Sequence, residues 1–395
     1  MYIARTVIAF ASLITVSLTV RADSWYPPQV ETYSSADKRF RFTVTPRDIA
    51  GPLPYFEGKQ RGDDKPGQTR GSKRTTPRGL FERSISNGRW SALWARDLVN
   101  DVAPVSALVS DSGDYAVTFD NWHSMGFGDD AIVIYGPRAS LVRALGLDDI
   151  LPGYYVEALP RSVSSLQWSG KHTIDQPAGM LMLKIVVPTD RQNSADTETY
   201  IDVGIELATG TVRPPVDGSW ERALDNAART RKAQLAAEAA DDARFRAPLV
   251  GPTTTAEVDW HHYLEEAFFR LDPDWDGGYP TVRILRDPRA ADYAPSETWL
   301  RKALTDEHVP DERVIMIASP VSPDNLMKVL TEITRTLKPN ALKGTRLYAA
   351  VPASHRTRIA ATLAPSAAMF IHIDPSVPIP QRPERLDRRF GKDVP

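Results

Sequence analysis

The chain contains no cysteine among its 395 residues. Disulfides, thiol nucleophiles, thiolate zinc sites and iron–sulfur clusters are therefore excluded, and stability has to come from packing. A glycine-rich phosphate loop of the G-x-x-x-x-G-K-[ST] or G-x-G-x-x-G type is also missing, which leaves nucleotide chemistry unsupported. Neither sign of charge dominates, since 48 basic residues face 50 acidic ones. That balance gives no global attraction to nucleic acid or to an anionic membrane.

Long apolar runs are confined to the beginning. Arg5 precedes an uncharged, mostly apolar run from Thr6 to Val20, and Val20-Arg21-Ala22 is a small-residue cleavage pattern. The run is shorter than the roughly 20 residues a membrane span needs. Residues 1–22 are thus expected to be a signal peptide cleaved near Ala22, with a retained anchor as the alternative. The mature chain, with 46 basic and 50 acidic residues, is expected to be secreted or periplasmic and to have no membrane span.

What is present is a β pattern over residues 23–215. Phe40, Phe42 and Val44 alternate with Arg41 and Thr43, and Tyr115, Val117 and Phe119 alternate with the smaller Ala116 and Thr118, the period of a half-buried strand. Ser35-Ala-Asp-Lys-Arg-Phe-Arg-Phe-Thr-Val aligns without a gap on Ser110-Asp-Ser-Gly-Asp-Tyr-Ala-Val-Thr-Phe. Each is followed by a second strand with an aromatic near its end, Trp90–Trp94 and Ala131–Tyr135, so a repeated hairpin is expected. Residues 163–188 read as a degenerate third copy. The repeat resembles the blade units of bacterial secreted proteins with propeller-like β repeats, over the N-terminal half only. The resemblance implies a propeller-like domain; about three units, fewer than a closed ring usually has, leave an open or sandwich-like arrangement equally open.

Between the two strands of the first unit, residues 58–79 are rich in Gly, Pro and Thr and strongly basic. They read as a mobile loop that could hold an anionic polymer. Residues 216–278 are expected to form a helical connector. Its second helix opens with the capping-box spacing Thr254-x-x-Glu257 and carries Trp260, Tyr263, Leu264, Ala267 and Phe268 on one face. Residues 279–374 alternate strands and helices, as an α/β sheet of about four strands does. Five prolines and several arginines make 375–395 a flexible tail. The expected class is α+β multidomain. The strand–helix–strand passage around Pro323 faintly resembles the periplasmic domain of biopolymer-transport proteins, but those have a membrane helix and a membrane-embedded Asp that this chain lacks.

No catalytic constellation is complete. Asn121 to Gly128 reads NWHSMGFG, and Ser124 sits as in an α/β-hydrolase elbow, except that Trp122 occupies a place that elbow reserves for glycine and a strand follows instead of a helix. A hairpin loop is the better reading. Within it Asp120, Trp122, His123, Asp129 and Asp130 form a candidate ligand-binding group. Asp272, Asp274 and Asp276, with Gly277, match the first half of a calcium loop, although Arg283 stands where a bidentate Glu belongs. His261 and Glu265, at i,i+4, are read as an exposed helix face and not as half of a zinc site. The sequence points to a secreted or periplasmic binding or scaffolding protein acting on an unidentified envelope component, needing no cofactor or at most calcium. A metal-assisted extracytoplasmic hydrolase is the alternative.

Overall fold

A computed structural model describes residues 26–189, 199–305 and 313–391. The expected signal segment lies outside them. The chain divides into two compact units, with the boundary between Ala237 and Glu238.

The first unit holds three four-stranded antiparallel sheets, each a meander of consecutive strands. The first is β1 (Glu31–Ser34), β2 (Phe40–Thr45), β3 (Arg78–Ser84) and β4 (Trp90–Asp97). The second is β5 (Ser106–Val109), β6 (Ala116–Phe119), β7 (Ile132–Tyr135) and β8 (Leu141–Leu145). The third is β9 (Thr173–Asp175), β10 (Met180–Val186), β11 (Tyr200–Glu206) and β12 (Val212–Arg213). Phe40, Phe42, Phe81 and Trp94 of the first sheet pack against Ala116, Val133 and Tyr135 of the second. The other face of the second sheet, with Val117, Phe119, Ile132 and Ile134, packs against Leu181, Leu183, Ile185, Val203 and Ile205 of the third. The sheets are layered, and the middle one is buried on both sides.

Two expectations change here. The alternation of β2 holds, with Phe40, Phe42 and Val44 buried. β6 is not half-buried as its alternation implied: all four residues are buried, because the middle layer has a neighbour on each face. The hairpin partner of β2 is β3, with Phe42 opposite Phe81, and Trp90–Trp94 belongs to the next strand. The short apolar stretch Gly79-Leu-Phe81 gave too brief a period to be read as a strand.

The stretch expected to be a mobile basic loop is instead built into the unit. It begins in α1 (Pro52–Arg61) and ends in β3. Between them, the buried guanidinium of Arg47 donates to the Pro66 carbonyl at 3.1 Å and to Gln68 Oε1 at 3.2 Å. Gly67 has φ +64°, and a Cβ there would lie 2.7 Å from the Tyr55 backbone, so only glycine allows this approach. The unit also contains α2 (Gly153–Ala158) and the first turns of α3 (Ser219–Arg246), whose Ala223 and Ala227 join the larger core.

The second unit is a parallel sheet in the order β13 (Thr281–Ile284), β14 (Val314–Ala318), β15 (Arg346–Ala350), β16 (Met369–Ile373). Ile315, Ile317, Leu347 and Ala349 face α5 (Tyr293–Thr305), α6 (Pro323–Thr336) and α7 (Arg356–Leu363). Met316, Ala318, Tyr348 and Ala350 face α4 (Glu257–Leu271). The period of two therefore sorts each strand between two apolar layers. α4, expected in a connector, is a layer of this sheet. Thr254 does not close a capping box: the cap of α4 is Ala256, and the Thr254 hydroxyl donates to Asp259.

Residues 375–391 of the expected flexible tail are likewise built into the unit. Ile379 pairs with Leu249, and α8 (Pro383–Phe390) follows. Arg385 donates to Glu266 at 2.8 Å and lies over Phe245 and Phe269, and Arg388 lies over Trp275. Arginine stacking supplies what the tail's low hydrophobicity could not. Among the described residues no helix is long and apolar enough to cross a membrane.

Candidate functional site

The loop around Ser124 joins β6 to β7, as expected of a hairpin. Asp120 and His123 have φ of 56° and 64°, and Gly126 and Gly128 are also left-handed. A Cβ on Gly126 would lie 2.9 Å from Leu166 Cβ and from Trp168 Cδ1. The Ser124 N–H donates to the Asn121 carbonyl at 2.9 Å, an ordinary turn bond.

The carboxylates of this loop do not converge on an open pocket. Asp120 is buried, and its Oδ1 accepts from the Gly126 N–H at 2.7 Å and from Trp168 Nε1 at 3.0 Å. Burial pushes its carboxyl up to about 6. Asp130 is also raised by burial, and its Oδ1 accepts from Asn121 Nδ2 at 2.6 Å. Asp129 is exposed. Trp122 is buried and donates from Nε1 to the Tyr26 carbonyl at 2.8 Å, in a small cluster with Tyr55 and Val102. The His123 ring lies 3.9 Å from that of Phe56, centroid to centroid. The loop is thus clamped from both sides, by Asp120 toward Trp168 and by Trp122 and His123 toward α1. It serves to hold layers together.

Sequence reading missed the neighbours that make the clamp. Arg47 Nη2 is 3.1 Å from Asp101 Oδ1, and Tyr55 donates to Asp101 Oδ2 at 2.8 Å. His172 stacks on Phe119 at 4.5 Å and accepts from the Lys184 N–H at 3.2 Å. Burial pulls its imidazole down to about 4, so it is neutral in the core.

The acidic loop after α4 holds an arginine where an ion was considered. Asp272 is fully buried, accepting from Arg346 Nε at 2.8 Å, Arg346 Nη2 at 3.1 Å and Tyr348 Oη at 3.0 Å. Asp274 reaches the same guanidinium at 2.8 Å. Asp276 points elsewhere, to Arg388 at 3.4 Å. The three carboxylates do not share a centre, and two already bind a cationic side chain. His261 and Glu265 pair with each other at 3.4 Å on a partly exposed helix face. Among the described residues no group of three or more His, Asp or Glu is placed to hold a metal ion.

A cleft lies in the second unit, at the carboxyl ends of β14, β15 and β16. It has a volume of about 330 Å³. Parallel sheets commonly bind ligands on this side, because the turns after the strands leave space between the sheet and the helix starts. Here each strand runs into proline: Ala318-Ser-Pro320, Ala350-Val-Pro352 and Ile373-Asp-Pro375. Proline ends the strand, brings no N–H donor, and lines the cleft with apolar ring faces. Trp260 of α4 forms another wall, its Nε1 occupied by the Thr254 carbonyl at 2.8 Å. Pro323, at the start of α6, closes a further side.

Polar groups enter at few points. Ser319 donates to the Ser322 carbonyl at 3.0 Å, and the Ser322 side chain does not cap α6. Asp374 accepts from the Ser376 hydroxyl at 2.7 Å and from its N–H at 3.0 Å, and these bonds hold its carboxyl below the usual range. Behind Trp260, the Tyr263 hydroxyl is buried with no hydrogen-bond partner among the described residues, and burial followed by the charge of Asp374 pushes it up to about 12. The recurrent proline two residues past each of these strands was the signal available in the sequence. Without the sheet order, nothing in it says that the three turns meet.

No protein-family model matches the chain, and no curated protein matches it significantly.

Proposed function

We propose that this is an extracytoplasmic binding protein, secreted or periplasmic, in which the α/β unit takes a small ligand and the β unit is a scaffold that can meet an envelope partner. The observation that carries the reading is the cleft at the carboxyl ends of β14–β16, apolar in most of its lining and with a few polar groups placed within it. The signal-like pattern of residues 1–22 supports the location. We further read the layered meanders as three blades of an open, propeller-type array, each sheet packing face to face on the next.

Ala353 is exposed and lines the cleft, so Ala353→Trp fills the space while leaving the cores untouched. Wild-type and variant protein are dialysed against a small-molecule extract of the cell envelope, and retained compounds are identified by mass spectrometry. A compound retained by the wild type and lost from a variant of unchanged melting temperature is the expected result. Equal retention by both would place binding elsewhere.

A further inference from the structure

We propose that the cleft, on the binding reading just given, selects a small organic cation: an alkyl- or quaternary ammonium compound. Asp374 is the only ionisable residue among those lining it. Its carboxylate makes no ion pair among the described residues, its hydrogen bonds come from neutral donors, the Ser376 hydroxyl and N–H and the Ala353 N–H, and the nearby His372 imidazole adds a smaller pull on its charge. Those bonds keep it ionised at neutral pH. A ligand that displaces water from the cleft leaves this charge partly desolvated, and a cation beside it offsets that cost where a neutral ligand cannot.

The remaining walls suit the carbon substituents of such a cation. Trp260 offers an indole, the best of the aromatic faces for a cation, and its N–H is already bonded to Thr254. Pro320, Pro352 and Pro375 add ring faces without donors. Tyr263 packs its ring edge-on to that of Trp260 at 5.8 Å and fixes this wall from behind. The start of α6, a partial positive charge, acts against a cation and favours an anion. The direct charge of Asp374 outweighs it, since the helix end carries about half an elementary charge.

The test is calorimetric titration of the full chain with choline, with its neutral isostere 3,3-dimethylbutan-1-ol, and with butyrate. Choline is expected to bind at least ~10-fold more tightly than either, the upper part of the range for a desolvated cation–π and ionic contact. Asp374→Asn should weaken choline at least ~10-fold while changing the neutral isostere less than about twofold. Ser376→Ala keeps the carboxylate and separates its charge from its role in shaping the turn; choline affinity is expected to remain within about threefold. Equal binding of the isostere, or a preference for butyrate, overturns the cation assignment and leaves the cleft a ligand site. Failure of all three probes overturns the assignment as well; if envelope extract also yields no compound lost on Ala353→Trp, the binding reading falls with it.

Discussion

Replacing Asp120 by asparagine separates the charge of this residue from its hydrogen bonds. Both bonds from Gly126 and Trp168 arrive at Oδ1, so the amide oxygen of asparagine can accept them, and asparagine tolerates the left-handed φ of 56°. Ionisation is what the burial penalises. With the carboxyl raised from 3.8 to about 6, the native state holds its proton longer than the unfolded state does. Stability is therefore lost as pH rises through this window, by about 3 kcal/mol in all as an upper figure. His172 acts in the opposite sense: its imidazole is lowered from 6.5 to about 4, so its contribution is lost as pH falls through that range. The two oppose each other within the wild-type pH profile, and the difference between wild type and Asp120→Asn isolates the carboxyl. Hydrogen exchange of the β6 and β7 amides, read by mass spectrometry at pH values from 4 to 8, gives the local opening free energy. The variant should gain on wild type by about 2–3 kcal/mol between pH 4 and 7 and level off above. A difference constant to within about 0.5 kcal/mol across that range would refute the buried-charge reasoning.

Other perturbations address the remaining elements. Gly126→Ala combines a left-handed backbone with a 2.9 Å contact to Leu166 and Trp168, and should cost about 2–4 kcal/mol by urea unfolding. Asp272→Ala removes the buried partner of Arg346 and Tyr348 and should destabilise the second unit by about 3–5 kcal/mol, measured by its thermal transition. Because Arg346 already occupies that carboxylate, added calcium or chelator should leave the melting temperature unchanged; a rise of several degrees with calcium would show that Arg346 is displaced. Truncation after Gln381 removes the contacts of Arg382, Arg385 and Arg388 with Trp275, Glu266 and Asp276, and should lower the melting temperature of the second unit by several degrees.

The second unit was the more legible in sequence. Its four strands alternate with helices, as the pattern over residues 279–374 implied. Short apolar runs alternating with amphipathic helices leave little else for such a segment to be. The first unit was legible only where one face of a strand meets solvent, as in β2. β3 was hidden in a stretch whose Gly and Pro content suggested disorder, yet Arg47, distant in sequence, holds that stretch through two of its donors. The candidate loop at 120–130 drew attention for its residue types, and Asp120, Trp122 and His123 turned out to be engaged in packing. Asp120 and Trp122 look alike in sequence whether they line a pocket or close a layer, since only tertiary neighbours distinguish the two. The tail failed for a related reason: arginine counts as polar in a periodicity argument, whereas here its planar group stacks on Phe245, Phe269 and Trp275.

Chemical-shift mapping locates the binding site most directly. The full chain, labelled on alanine methyls and tryptophan indole nitrogens, is titrated with choline. Saturating shifts at Ala350, Ala353 and the Trp260 indole, with Trp122 unmoved, are expected if the cleft at the ends of β14–β16 is the ligand site. Shifts centred on Trp122 with none at Ala350 or Ala353 would contradict it and return the site to the β6–β7 loop.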